Sequence, residues 1–99
     1  MRITLASPNV DIPEHIRAYA EYRLFSSVAR HELHVRTIDV VIRRAPATQR
    51  FVCVLCAHVG PSGQVKTQAR RPNVTAAIDR AADRLAWLVD RRMQQLISS

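Results

Sequence analysis

The chain has 99 residues, of which 47% are hydrophobic and 23% are charged. This balance predicts one folded domain over residues 1–99 and excludes a disordered tail. No apolar run approaches the roughly 20 residues that a membrane-spanning helix needs, and the N-terminus is too short and too polar for a secretory signal. We therefore expect a cytoplasmic protein that has no membrane partner.

The net charge gives the first indication of a partner. Fifteen Lys and Arg residues against eight Asp and Glu residues leave the chain at +7, and so basic a domain is typical of proteins that bind a polyanion. Residues 50–99 carry eight basic and three acidic residues, whereas residues 1–49 carry seven and five. We expect the C-terminal half to supply most of an anion-binding site.

The N-terminal half predicts a strand, a helix and a second strand. Apolar residues alternate from Arg2 to Ser7, which favours a strand. The run Asp11-Ile12-Pro13-Glu14 has the pattern of a capping box with Pro in the first turn, and helical spacing continues to about Ser27. Alternation returns from Val35 to Arg43. The inward residues of this second strand are predicted to be Ile38, Val40 and Ile42.

The C-terminal half predicts two more strands and a long helix. The strands run from Gln49 to Val59 and from Gln64 to Arg71, and a glycine-containing turn joins them. Asn73 is a typical N-cap for a helix from Val74 to about Ile97. The order β-α-β-β-β-α predicts an α+β fold, in which both helices pack on one face of a four-stranded mixed sheet.

The last helix carries charges that are sorted by sign around its axis at about 100° per residue. Its predicted core stripe is Val74, Ile78, Ala81, Leu85, Leu88 and Leu96. One flank holds Arg80, Arg84 and Arg91 with Trp87 among them, and the other holds Asp79, Asp83 and Asp90. Arginines neutralise phosphates and an aromatic ring stacks on bases, so the basic flank favours RNA binding. A solvated face with an ordinary exposed Trp is the alternative.

Two further arginines are RNA-binding candidates. Arg92 lies on the core stripe near the end of the helix, where we expect it to overhang the sheet and stay in solvent. Arg23 lies on the sheet-facing stripe of the first helix. Because a buried unpaired Arg is costly, the Arg23 guanidinium must reach solvent or an acid, or line a cleft between the helices. A snorkelling side chain with a packed stem is the alternative.

The sequence gives little support for a catalytic or metal-binding site. Cys53 and Cys56 lie three residues apart on a predicted strand, so their thiols point to opposite faces and cannot share a metal or a disulfide. The pair His31 and His34 lacks a third ligand nearby. The Gly60-to-Gly63 spacing fits a hairpin and not a phosphate loop. We expect no enzyme activity, no metal, no cofactor and no small-molecule substrate.

Several motifs together resemble the ribosome hibernation-promoting factor family, which includes the ribosome-associated inhibitor and the sigma-54 modulation proteins. They are Asp11-Ile12-Pro13-Glu14-His15-Ile16-Arg17-Ala18-Tyr19, Arg23-Leu24, the Gly60-to-Gly63 hairpin, and Asn73-Val74-Thr75-Ala76-Ala77-Ile78-Asp79 leading to Asp83-Arg84-Leu85. The resemblance implies a stress- or stationary-phase factor that binds the small ribosomal subunit near the decoding centre. There it would occupy the path of messenger and transfer RNA and inhibit translation.

The resemblance also implies which residues contact ribosomal RNA. By position in the motifs they are Arg23, Arg84, Arg91 and Arg92, to which the charge pattern of the helix adds Arg80 and Trp87. Trp87 and Asp90 depart from the family pattern, in which basic or polar residues are expected. Since the chain ends at Ser99, we expect the short form of the family, which lacks a second domain.

The open face of the sheet predicts a second contact surface. Val52, Val54 and Cys56 are expected there beside Val41, with Arg2, Arg43, Lys66 and Arg70 at the rim. An apolar patch with a charged rim favours a protein contact such as a homodimer through the sheets. Valines without a binding role are the alternative.

The sequence is also compatible with two other functions. The first is a general RNA-binding module of double-stranded-RNA-binding type, although that fold lacks a strand before its first helix. The second is a protein-interaction or regulatory domain that works through the open sheet face. Preference for the small subunit over free duplex RNA would separate a ribosome factor from the first of these.

Overall fold

A computed structural model describes residues 1–98 of the chain. Its elements are β1 (Arg2–Ala6), α1 (Glu14–Val28), a short 3-10 helix (Ala29–His31), β2 (Val35–Arg44), β3 (Phe51–Val59), β4 (Gly63–Arg71) and α2 (Val74–Ser98). The predicted order β-α-β-β-β-α is confirmed. The 3-10 helix continues directly from α1 and was not predicted.

The four strands form one sheet in the order β1-β2-β3-β4. β1 pairs with β2 in parallel, with Ile3 opposite Ile38. The other two pairings are antiparallel, so the predicted mixed sheet is confirmed. Because β1 precedes α1 and pairs with β2, the chain does not have the topology of a double-stranded-RNA-binding domain. β4 lies at one edge of the sheet, beside α2.

The core lies between the sheet and the two helices. The inward residues predicted for β2 are 0–1% exposed, and Leu24 of α1 and Leu85 of α2 are fully buried against the same core. Cys53 is buried and Cys56 is half-buried, and both are free thiols. Burial raises the pKa of the Cys53 thiol to about 12. The two cysteines therefore act as small core and surface residues, as their spacing predicted.

The predicted N-cap is confirmed for α2 but not for α1. The Asn73 side-chain oxygen accepts a hydrogen bond from the Ala76 amide at 2.8 Å, as expected of an N-cap. The predicted capping box of α1 is wrong. Pro13 is the N-cap and no side chain caps the helix, because Pro13 keeps an extended backbone and α1 begins one residue later. Asp11 is left two positions before the cap and is exposed.

The core stripe of α2 also needs correction at its C-terminal end. Val89 and Met93 are buried there, whereas Leu96 is 51% exposed and Leu88 is half-buried. α2 has 25 residues and is about 37 Å long, which exceeds the roughly 30 Å of a nine-residue strand such as β4. The last turns therefore extend past the sheet.

The open face of the sheet is less apolar than the sequence indicated. Val52 lies between its cross-strand partners Arg43 and Arg70 and is only 2% exposed. Val41, Val54 and Cys56 are half-buried. Across the described residues, no helix has the length and apolarity to cross a bilayer.

Candidate nucleic-acid interface

The two flanks of α2 face different surroundings. Asp79 and Asp83 face α1, and Asp90 faces the 3-10 helix that follows it. The basic flank lies along β4, where Arg84 contacts the strand backbone. The sorting of charges by sign therefore corresponds to two separate environments, one between helices and one at the sheet edge.

Arg23 joins α1 to the acidic flank of α2. Its guanidinium lies 3.3 Å from Asp79 and 2.6 Å from Asp83. The Tyr19 hydroxyl donates to the same Asp79 oxygen, and this hydrogen bond is the main reason that the pKa of Tyr19 is raised. Arg23 also donates to the Ser27 hydroxyl at 3.0 Å. We call Arg23, Tyr19, Asp79 and Asp83 the helix clamp.

Asp90 makes a second link to the preceding elements. One of its carboxylate oxygens lies 2.7 Å from Arg30 and 2.6 Å from His31. The hydrogen bond from Arg30, followed by that from His31, lowers the pKa of Asp90. Because the Arg30 side chain is 76% exposed, water screens this link and its contribution to stability is small.

The basic flank is centred on Trp87. The Arg91 guanidinium carbon lies over the indole ring, 4.7 Å from its centroid, a cation–π geometry. Trp87 is nevertheless 57% exposed. Arg84 donates to the Gln68 carbonyl at 2.5 Å. Arg80 is exposed and has no ion-pair partner among residues 1–96.

A groove runs between β4 and α2, and we call it the basic groove. It consists of two clefts that share Trp87 and Leu88. The smaller, of about 320 Å³, is further lined by Gln64, Val65, Lys66, Arg91, Arg92 and Gln95. The larger, of about 530 Å³, is further lined by Thr67, Arg80, Asp83 and Arg84.

The charge of the basic groove is one-sided. Its four arginines, Arg80, Arg84, Arg91 and Arg92, stand against a single acid among the lining residues, Asp83, which is already paired with Arg23. Each guanidinium has five N–H donors, so the one hydrogen bond that Arg84 makes leaves most of its donors for a ligand. The groove can therefore hold a polyanion, with an aromatic surface at its centre.

Arg92 is placed differently from its prediction. It is half-buried, and its guanidinium reaches back to the β3–β4 turn. A Cβ atom on Gly63 would lie 2.9 Å from the nearest Arg92 nitrogen, so the absence of a side chain at Gly63 makes room for Arg92. Arg92 consequently points into the basic groove and does not project past the sheet.

The structure brings together five of the six residues predicted to bind RNA. Arg80, Arg84, Trp87, Arg91 and Arg92 line the basic groove. Arg23 lies apart from them, in the helix clamp. Lys66 borders the groove through β4, but it lies opposite Cys56, so its side chain belongs to the open face, as the sequence indicated.

No group of three or more His, Cys, Asp and Glu side chains is arranged to hold a metal ion in the part of the chain that the structure describes. Asp39, His58 and Cys56 are neighbours on the open face. However, one His58 nitrogen makes both contacts, at 3.2 Å to Asp39 and 3.9 Å to Cys56. A relay through histidine needs both ring nitrogens, so this cluster is not a catalytic triad.

The fold and the basic groove define a small α+β protein with a basic groove along one edge of its sheet. Residues 3–96 match the model of the family described as sigma 54 modulation protein / S30EA ribosomal protein. The chain belongs to this family, which is not an enzyme family. Membership makes it a ribosome-associated factor.

Two solved structures share the fold. The Thermus thermophilus Protein Y N-terminal domain is similar with a TM-score of 0.79 and 30% identity, over 92% of this chain and 98% of that one. A ribosomal subunit interface protein from Coxiella burnetii is similar with a TM-score of 0.78 and 16% identity, over 94% of this chain and 99% of that one. No curated protein matches the sequence.

Proposed function

We propose that this protein is a stress- or stationary-phase factor that binds the small ribosomal subunit, occupies its decoding region and inhibits translation. The observation that carries the proposal is the basic groove, in which four arginines face a single acid that is itself paired. Such a groove binds RNA phosphates without any chemistry, so occupancy alone would block messenger and transfer RNA. Because ribosomes are its proposed partner, we expect the protein to act in the cytoplasm.

Each groove residue has a separate role in this proposal. Arg80, Arg84, Arg91 and Arg92 contact phosphates of ribosomal RNA, since guanidinium groups bind phosphate oxygens in bidentate fashion. Trp87 stacks on or packs against the RNA at their centre.

Arg23 is the sixth proposed RNA contact, and its surroundings distinguish it from the others. Its side chain is 27% exposed and both of its close partners are carboxylates. RNA would therefore meet an arginine whose charge is already compensated. Its first contribution is to hold α1 against α2, and any RNA contact that it makes would be weak.

The proposal is tested by binding and by footprinting. Tagged protein should co-sediment with isolated small subunits in sucrose gradients, protect decoding-region RNA from chemical probes, and lower translation in a cell-free extract. Binding to small subunits without protection of the decoding region would place the protein elsewhere on the subunit and overturn the finer proposal. Equal affinity for free duplex RNA would indicate a general RNA-binding module.

A homodimer through the open sheet face is the second candidate. Half-buried Val41, Val54 and Cys56 support it, whereas the basic side chains at the rim would meet their own copies and repel. Analytical ultracentrifugation decides, with Val54→Lys as the variant that should dissociate such a dimer. A monomer at all concentrations would remove this candidate, and a protein partner for this face would then be the remaining regulatory alternative.

A further inference from the structure

Trp87 divides the basic groove into two clefts of different character. Arg91, one turn towards the C-terminus, covers one face of the indole. Arg84 and Arg80, one and two turns towards the N-terminus, line the larger cleft on the other side. A large aromatic side chain that is 57% exposed beside a cleft of about 530 Å³ is an open stacking surface.

We propose that the larger cleft is a binding site for one unpaired RNA base, which stacks on the Trp87 face opposite Arg91. The phosphates on either side of that base would be held by Arg80 and Arg84. This inference rests on the proposed function, because it names the RNA feature that the same groove recognises. It concerns a residue at which this chain departs from the pattern of the family it resembles.

The lining of the larger cleft suits a base better than a phosphate alone. Leu88 and Trp87 provide apolar contact for a flat ring. Thr67 offers a hydroxyl that can donate or accept. Asp83 is bound to Arg23 through Oδ1, which leaves Oδ2 to accept a hydrogen bond from a base edge. Stacking with a polar edge is how proteins bind single-stranded RNA.

The same geometry disfavours two other occupants. Bases in a duplex are stacked on both sides, so none of them can present a face to Trp87, and A-form RNA is recognised mainly through shape and backbone. An acidic peptide could form ion pairs with the arginines, but its carboxylates would make no use of the exposed indole beside them. The charge of the groove and its central ring together fit a single-stranded nucleic acid.

Trp87 is the sole tryptophan of the chain, so its own fluorescence reports on this site. We expect a hexa-adenylate RNA to quench the tryptophan emission in a saturable manner. A blunt-ended RNA duplex, or the same hexamer with abasic positions, should quench little at equal phosphate concentration. If the abasic strand or an acidic peptide quenched the emission as much as the hexa-adenylate RNA does, the proposal of a base site would be overturned.

Variants test the energetic contribution with a labelled hexamer, whose anisotropy does not depend on the indole. Trp87→Ala should bind about 5- to 150-fold more weakly, the range for loss of one stacked base, and Trp87→Phe should retain most of the affinity. Tyr22→Ala removes an aromatic residue of α1 that is 69% exposed and should bind normally. A Trp87→Ala variant that binds like the wild type would overturn the inference.

Co-sedimentation with small subunits separates this inference from the proposed function. If Trp87→Ala and the wild type bind subunits equally and subunits do not quench the tryptophan, the base site fails while ribosome binding stands. If reversal of Arg84 and Arg91 to Glu also leaves subunit binding unchanged, the groove itself is not the interface and both proposals fail.

Discussion

The two flanks of α2 carry charges of opposite sign and use them differently. The carboxylates of Asp79, Asp83 and Asp90 are each within hydrogen-bond distance of a group on the preceding helices. The arginines of the other flank contact an indole face and a strand carbonyl, and within residues 1–96 they form no ion pair. One flank therefore has its charges neutralised within the fold, and the charges of the other are left uncompensated there.

This difference shows that a charge-sorted helix is not evidence of two binding surfaces. Acids placed against α1 hold the helices together, and pairing there compensates their charge, including that of Asp83, which also lines the groove. The arginines of the groove therefore have little negative charge beside them. Arg23 belongs to the first environment although it is basic, because its position on α1 places it opposite two carboxylates.

The largest expected effect comes from reversing charge on the basic flank. Arg84→Glu combined with Arg91→Glu should weaken small-subunit binding about 100-fold, since each lost charged contact is worth about 1.5 kcal/mol. The slope of log affinity against log salt should fall by about 1.4–1.8 for two phosphates. Co-sedimentation at several salt concentrations measures both quantities.

The matched control makes the same charge change on the open face of the sheet. Arg43→Glu combined with Arg70→Glu alters the net charge equally, so general attraction between a basic protein and RNA falls to the same extent. We expect this control to keep most of the affinity. Equal losses in the two pairs would mean that binding follows net charge and that the basic groove has no special role.

The element order could be predicted from sequence because the hydrophobic periods are clear. Apolar and polar residues alternate regularly in the second strand, which places Ile38, Val40 and Ile42 inward. After Asn73, apolar residues recur about every 3.6 residues over a long segment. The start of α1 could not be predicted as well, because Asp11 and Pro13 offer competing signals. The backbone of Pro13 prevails, and the Asp11 carboxylate is left outside the helix.

The groove was predictable in part. The angular positions of Arg80, Arg84, Trp87 and Arg91 follow from a regular helix, so their common flank needed no structure. Which neighbour that flank meets depends on long-range packing, and periodicity contains no such information. For the same reason the contact of Arg92 with the turn at Gly63 was not foreseen, because it joins residues 29 positions apart in the chain.

The second prediction concerns the support of the basic groove at that turn. A Cβ atom at Gly63 would lie 2.8 Å from the Val59 carbonyl oxygen and 2.9 Å from Arg92, so Gly63→Ala must displace both. We expect a loss of about 2 kcal/mol in the free energy of unfolding, measured in urea. Ser62→Ala, at the exposed neighbouring position, should change stability little, and an equal loss there would implicate the turn conformation instead.

The third prediction tests whether Arg23 acts mainly in holding the helices together or in binding RNA. Arg23→Met keeps much of the stem and removes the charge, and leaves Asp79 and Asp83 facing each other without their cation. Because these groups are partly exposed, the expected cost in unfolding free energy is only about 1 kcal/mol, while small-subunit binding stays within about threefold of wild type. Normal stability with a loss of binding would instead make RNA binding, and not the helix clamp, the main role of Arg23.

The smallest expected effect is a dependence of stability on pH at Asp90. The hydrogen bonds from Arg30 and then His31 hold the folded pKa of this carboxyl below its ordinary value of 3.8. Over the pH range between the two values the unfolded chain binds more protons than the folded protein, so stability falls as the pH falls. The contribution is fully present above about pH 5 and is lost below the folded pKa.

Asp90→Asn tests this link, because the amide cannot titrate. At neutral pH the variant should be about 0.5 kcal/mol less stable than the wild type in urea unfolding, the size expected of a screened surface pair. The difference should shrink towards zero as the pH is lowered from about 5 to about 2. Asp11→Asn removes an exposed carboxylate that has no ion-pair partner within residues 1–96, and it should track the wild type throughout. If the gap between Asp90→Asn and the wild type stayed constant with pH, the contribution of Asp90 would come from shape or packing and not from its charge.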